Sequence, residues 1–126
     1  MIRALTDDER YFISGVATRL DGEARDRLMS DLAVAQVEAE LADGELIQFC
    51  LEKYERPPRG GQGLYPVEGE VSDGDGAPIS LLLFADSADR LYELEYLRWG
   101  DGLLQQPDWS TLRFIPDVSP AGKSAA

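Results

Sequence analysis

The hydrophobic period of this chain changes once, between Leu32 and Ala35. Before that point apolar residues recur at helical spacing; after it they alternate with polar ones. A chain patterned in this way places its helices first and its strands afterwards. Short turns between the strands then favour a helical layer packed on one face of an antiparallel sheet. The expected fold class is α+β, with N-terminal helices on one face of a mostly antiparallel meander of about five or six strands.

The local signals are specific. Thr6 and Glu9 have the spacing of a capping box, and Asp7 and Asp8 suit the positive end of a helix dipole. Phe12, Ile13, Val16, Ala17 and Leu20 then predict a helix over Asp7–Leu20. Ala24, Leu28 and Leu32 predict a shorter one from Gly22 to about Asp31. Ala35, Val37, Ala39 and Leu41 alternate with Gln36, Glu38 and Glu40, which is a half-buried strand. Ile47, Phe49 and Leu51 give its partner, with Asp43-Gly44 as the hairpin signal. Matching apolar to apolar sets Leu41 opposite Ile47, Ala39 opposite Phe49 and Val37 opposite Leu51, which needs an odd loop centred on Gly44 with a bulge. Arg56-Pro-Pro-Arg-Gly-Gly-Gln-Gly63 reads as loop. Further strands are expected at Tyr65–Ser72, Ile79–Ala85, Leu91–Arg98 and Leu112–Ile115. Ile79–Ala85 is apolar on both faces, which suits a central position. Residues 1–116 are read as one domain and 117–126 as a disordered tail.

Charge and composition remove whole classes of function. With 24 acidic and 12 basic residues the formal net charge is −12. Such a surface repels phosphate backbones and anionic membranes, so no nucleic acid and no membrane is expected, and a basic protein is the natural partner. The longest apolar run, Ile79–Ala85, is far too short to cross a bilayer. The acidic N-terminus lacks a signal-peptide apolar region, and the single cysteine, Cys50, cannot form an internal disulfide. Both point to a cytoplasmic protein, with Cys50 expected as a buried core thiol among its apolar neighbours. The absence of histidine excludes His-activated nucleophiles and His-based metal sites. Gly60-Gly-Gln-Gly63 leads into a strand, whereas a phosphate cradle needs a helix N-terminus. Asp73-Gly-Asp-Gly76 lacks the later ligands of an EF-hand. A carboxylate pair could still act as acid and base, but short turns offer little cleft to raise a pKa. No catalytic residue, no metal site and no cofactor is expected.

A Glu-x-Glu pair recurs three times, as Glu38 and Glu40, Glu68 and Glu70, and Glu93 and Glu95. Each sits in a predicted strand, where a spacing of two puts both members on one face. Their apolar neighbours assign the opposite face to the helices, so all six glutamates should project from the open side. Either Leu82 and Phe84, or Ile79, Leu81 and Leu83, would lie between the last two pairs as an apolar strip with acidic rims. Any solvated sheet face also carries such alternation. Against that plain reading, like charges on neighbouring strands cost about 0.2–1 kcal/mol per opposed pair, and an apolar centre with a polar rim is how interfaces are built. Trp99 and Trp109 are candidate contact residues in the C-terminal region. Arg98 is expected to pair with Asp101 across a turn.

Leu5, Thr6 and Glu9, then Asp43-Gly44, then Asp75-Gly76 with Pro78, then Leu91-Tyr-Glu-Leu-Glu95, then Asp101-Gly102 and Pro107 form a pattern along nearly the whole chain. It resembles a family of small bacterial proteins grouped as a domain of unknown function, which has no assigned catalytic residues. In size and acidity the chain is also similar to the immunity proteins that neutralise bacterial toxins. The reading is a non-catalytic, acidic protein-binding module, immunity- or antitoxin-like, that masks a basic partner. Its contact residues are Glu38, Glu40, Glu68, Glu70, Glu93, Glu95, Leu82, Phe84, Trp99 and Trp109. A small carboxylate-based enzyme or ligand-binding protein is one alternative. A secretion-chaperone-like protein is the other, although Pro116 and Pro120 interrupt the terminal helix such proteins use.

Overall fold

The computed structural model describes residues 2–117; the expected tail, from residue 118 on, lies outside the described residues. Helix α1 spans Asp7–Thr18 and α2 spans Gly22–Ala33. The Glu9 amide donates to the Thr6 hydroxyl at 3.1 Å, and the Thr6 amide donates to the Glu9 carboxylate at 2.8 Å. This capping box fixes the start of α1. Phe12, Ile13, Val16 and Ala17 of α1 and Leu28 and Leu32 of α2 are buried in the core.

The strands are β1 (Ala35–Leu41), β2 (Leu46–Leu51), β3 (Gly63–Leu64), β4 (Glu68–Ser72), β5 (Pro78–Ala85), β6 (Leu91–Arg98) and β7 (Asp108–Ile115). They form one antiparallel sheet in the order β1-β2-β6-β5-β4-β7, with β3 pairing β5 beyond the end of β4. The fold is thus α+β with the helices on one sheet face. Its centre is the β4-β5-β6 meander; the β1-β2 hairpin attaches to β6, and β7 returns to the free edge of β4. Ile79, Leu81 and Leu83 of the central strand point into the helix-side core and have no exposed surface.

Register is irregular in three pairings, β1–β2, β5–β6 and β4–β7, and the first two decide which side chains of the glutamate strands reach the other face. Near the hairpin turn Leu41 pairs Leu46 and Ala39 pairs Gln48, but Val37 pairs Phe49 and Ala35 pairs Leu51. Glu38 is the extra residue. The expected register of Leu41 with Ile47 is therefore not formed, because the irregularity sits inside β1 and not in the turn. One consequence is that Glu40 lands on the helix side, opposite Ile47, where Arg3 Nε donates to it at 3.1 Å. The second bulge is at Tyr92, between the pairs Ala85–Leu91 and Phe84–Glu93. Leu91, not Tyr92, then takes the buried position next to Leu94. Cys50 is half-buried on the open face beside Gln36 and is not in the core. In Leu46–Leu51 both parities hold apolar residues, which hides the facing in the sequence.

Buried acids hold the turns. Arg98 reaches Asp101 only through the main-chain carbonyl; its guanidinium donates to Asp73 at 2.7 Å and to Asp75 at 2.6 Å. Asp73 also accepts the amides of Gly74, Gln105 and Gln106 at 2.7, 2.9 and 2.7 Å. One aspartate thus ties the β4–β5 turn to the loop leading into β7. Burial pushes the Asp73 carboxyl up, but the Gln105 and Gly74 amides, Arg98 and the Gln106 amide together pull it below its ordinary value. Arg98, with the Ala77 amide, holds Asp75 well below the usual carboxylate range.

Two expectations follow from this packing. A Cβ at Gly15 would lie 2.1 Å from the Phe114 ring, which is stacked on Phe12 at 5.9 Å and lies 4.0 Å beneath the Arg19 guanidinium. Gly15→Ala should cost about 1–3 kcal/mol in urea denaturation. Gly22→Ala, with nothing within 4 Å, should be neutral or gain up to about 1 kcal/mol. Asp73 and Asp75 titrate below their unfolded value of 3.8, so below about pH 5 the unfolded chain binds more protons than the native one. Their stabilisation is complete at neutral pH and is lost as pH falls through the unfolded value towards the folded ones. The urea midpoint should be flat down to about pH 5 and then fall, and Arg98→Met should lower the plateau and make the acid limb shallower.

Candidate functional site

The sheet face turned away from the helices carries Glu68 and Glu70 on β4, Ser80, Leu82 and Phe84 on β5, and Glu93 and Glu95 on β6. Leu82 lies opposite Glu95, and Phe84 opposite Glu93. The half-buried Leu82 therefore lies between Glu68 and Glu95, whereas Phe84 lies between Glu93 and the exposed Leu64 of β3. Trp99 joins this face, because its indole Nε1 donates to Ser80 Oγ at 2.9 Å while 55% of the residue stays exposed. Glu38, carried outward by the β1 bulge, stands further along it. Glu70 is paired with Arg113 of β7. Glu38, Glu68 and Glu95 form no ion pair among the described residues.

Two expected members belong elsewhere. Glu40 is turned to the helix side by the bulge at Glu38 and pairs with Arg3. Trp109 packs 6.5 Å from the Phe12 ring and edge-on to Tyr96 at 6.2 Å. It closes the helix-side core and is not a contact residue of the open face.

Residues 52–62 fold over one end of the open face, and Arg56 anchors them. Its Nη1 donates to Asp86 Oδ2 at 2.9 Å and its Nη2 to the Phe49 carbonyl at 2.6 Å. The guanidinium also lies 4.8 Å from the centre of the Tyr92 ring. The Tyr54 hydroxyl donates to the same Asp86 oxygen at 2.6 Å, and Asp86 Oδ1 accepts the amides of Ala88 and Arg90. Burial raises the Asp86 carboxyl, but these donors, Tyr54 foremost, bring it below its ordinary value. Burial and then the bond to Asp86 push the Tyr54 hydroxyl up.

Between this loop and the sheet lies a depression of about 530 Å³, walled by Glu38, Gln48, Gln62, Tyr92, Pro57 and Pro58 among others. Gln48 Nε2 donates to Glu93 Oε1 at 3.2 Å, and Gln62 Nε2 to Glu93 Oε2 at 3.5 Å. Glu93 is only 7% exposed. A second depression of similar size lies at the far edge, with Arg19, Arg27 and Tyr65 in its wall. Its cations are engaged: Arg19 with Asp117 at 2.5 Å and Arg27 with Glu23 at 3.6 Å. Asp73 and Asp75, which could be read as cation ligands, are likewise taken up by Arg98.

Sequence reasoning finds the glutamate rows and the apolar strip but misses Gln48, Gln62, Arg56 and Tyr92. Nothing marks the glutamines, whose role depends on a loop returning across the sheet. Arg56 opens a Pro-Gly-rich segment and so reads as ordinary loop punctuation.

Among the described residues no helix is long and apolar enough to cross a membrane. No curated protein and no solved structure gives a significant match to this chain. A family model matches residues 2–107, a span that holds both helices, strands β1 to β6 and the whole depression under residues 52–62, while β7 lies beyond it. By that match the chain belongs to the family described as Domain of unknown function (DUF6984).

Proposed function

We propose that this chain is a non-catalytic binding module whose acidic sheet face docks a basic protein, masking it in the manner of an immunity protein or antitoxin. The observation that carries this reading is the apolar strip of Leu82, Phe84 and Leu64, left uncovered by the chain's own helices, with Glu68 and Glu70 of β4 on one side of Leu82 and Glu93 and Glu95 of β6 on the other. The net charge of −12 attracts a cationic surface over a distance of the order of the Debye length, about 8–10 Å. The glutamate rows then orient the encounter, and Leu82, Phe84 and the exposed Trp99 supply the desolvated contact. The same charge opposes phosphate-rich partners and anionic membranes. A cytoplasmic location for the chain is part of this proposal.

Affinity capture from a native lysate tests this if the bait is varied. The double variant Glu68→Lys/Glu95→Lys should lose a basic protein that the unmodified chain retains at low salt and releases at high salt. Glu23→Lys/Asp26→Lys, the same change of charge placed on exposed positions of α2, should keep it. Equal retention by all three baits, or equal loss from both variants, contradicts docking through the sheet face.

A further inference from the structure

Residues 57–62 cross one end of the open sheet face without joining the sheet. Among the described residues, none of their main-chain groups bonds another main-chain group, and all six residues are exposed. The crossing is fixed firmly at its ends. On one side Arg56 donates to Asp86 at 2.9 Å and to the Phe49 carbonyl at 2.6 Å. On the other, Gly63 and Leu64 of β3 pair with β5. Between these ends it has two ties. Gln62 Nε2 reaches Glu93 at 3.5 Å, and the Ser87 hydroxyl donates to the Arg59 carbonyl at 3.3 Å; both are long for hydrogen bonds. Beneath the crossing, against Gln48 and Tyr92 of the sheet, lies the depression of about 530 Å³. A segment with no ladder, little buried surface and two weak ties belongs to the low-stability end of a structure, where local opening does not require the domain to unfold.

The crossing carries one cation, Arg59, and no acid. It therefore occupies the end of an acidic face with the charge expected of the docking partner. We infer that residues 57–62 are a movable cover, hinged between Arg56 and β3, which the basic partner lifts to reach Gln48 and Tyr92 beyond the strip of Leu82 and Phe84. This rests on the docking function proposed above and adds a control on the same face. Lifting the cover breaks the Gln62 bond and leaves Glu93 its bond to Gln48 at 3.2 Å. Water then replaces a long bond on the opened side of the carboxylate, which keeps the cost of opening low. The Arg56 clamp on Asp86 need not break, so the turn it secures stays in place.

The test uses the full chain and trypsin. Arg59–Gly60 is the one trypsin site within the cover. Its cutting rate should change little with urea below the unfolding transition, as local opening does. Gly60→Ala places a Cβ 2.5 Å from Ser87 at a φ of +116°, and Gln62→Ala removes the bond to Glu93. Each should raise the rate about threefold or more, relative to the same variant unfolded in urea. Neither changes the net charge or touches Arg56. In affinity capture both baits should hold the basic protein more tightly by about the same factor, because a partner that binds the open form gains in proportion to its population. The inference is overturned if cutting follows the urea dependence of global unfolding, if neither variant is cut faster, or if both are cut faster yet capture the basic protein no better. In that last case, capture still abolished by Glu68→Lys/Glu95→Lys would leave the docking face standing without a movable cover. Absence of any salt-dependent capture would instead remove the docking face and the cover together.

Discussion

The fold depends on buried arginine–carboxylate pairs at the places where the chain changes direction. Arg3 and Glu9 fasten the N-terminal segment to the first turn of α1, and the same arginine reaches Glu40 on β1. Asp31, at the end of α2, accepts Arg90 and the Leu91 amide at the start of β6. Asp86 joins the β5–β6 turn to the returning loop through Arg56, and Asp73 joins the β4–β5 turn to the approach of β7 through Arg98. In each case a carboxylate satisfies main-chain amides and a guanidinium balances its charge. Removing the arginine would leave the carboxylate buried and uncompensated, which is why such pairs are costly to break even where their net contribution is small. The arrangement also shapes the surface. The chain has only 12 basic residues, and four arginines are committed to interior acids, so the exposed sheet face is left with an excess of glutamate.

What the sequence shows of this is what local pattern encodes. The capping box, the change of period at the end of α2 and the central place of Ile79–Ala85 are legible, because each is written within a few neighbouring residues. The flanking of β5 by Glu68 and Glu70 on one side and Glu93 and Glu95 on the other follows from alternation and the order of turns. The bulges are not legible: Glu38 and Tyr92 look like regular members of alternating runs, and only pairing with Phe49 and Phe84 reveals the extra residue. That is why Glu40 and Tyr92 face otherwise than their spacing implies. The arginine clamps are equally hidden, since Asp73 and Arg98 are 25 positions apart and Asp31 and Arg90 are 59. Trp99 and Trp109 are indistinguishable as letters. A hydrogen bond to Ser80 puts one on the open face, and aromatic packing against Phe12 and Tyr96 puts the other in the core.

The candidate site is therefore a product of topology more than of motif. Its floor comes from β2 and β6, which are neighbours only because the β1-β2 hairpin joins the meander at β6. Its wall comes from residues 52–62, held down by Arg56 and Tyr54 on Asp86 and by Gln62 on Glu93. An acidic face that only needed to be soluble would not have to bury Glu93 or keep Glu68 and Glu95 beside a half-buried apolar strip. Under the proposed docking function, retaining them sets intramolecular stability against binding.

That balance can be measured without knowing the partner. In urea denaturation at low ionic strength, the triple variant Glu68→Gln/Glu93→Gln/Glu95→Gln should be more stable than the unmodified chain, by about 1 kcal/mol, because like charges on either side of β5 are relieved and a poorly compensated carboxylate leaves the interior. A triple variant that is less stable would show that these glutamates serve the isolated fold, and would contradict the account of the sheet face as a surface kept for a partner.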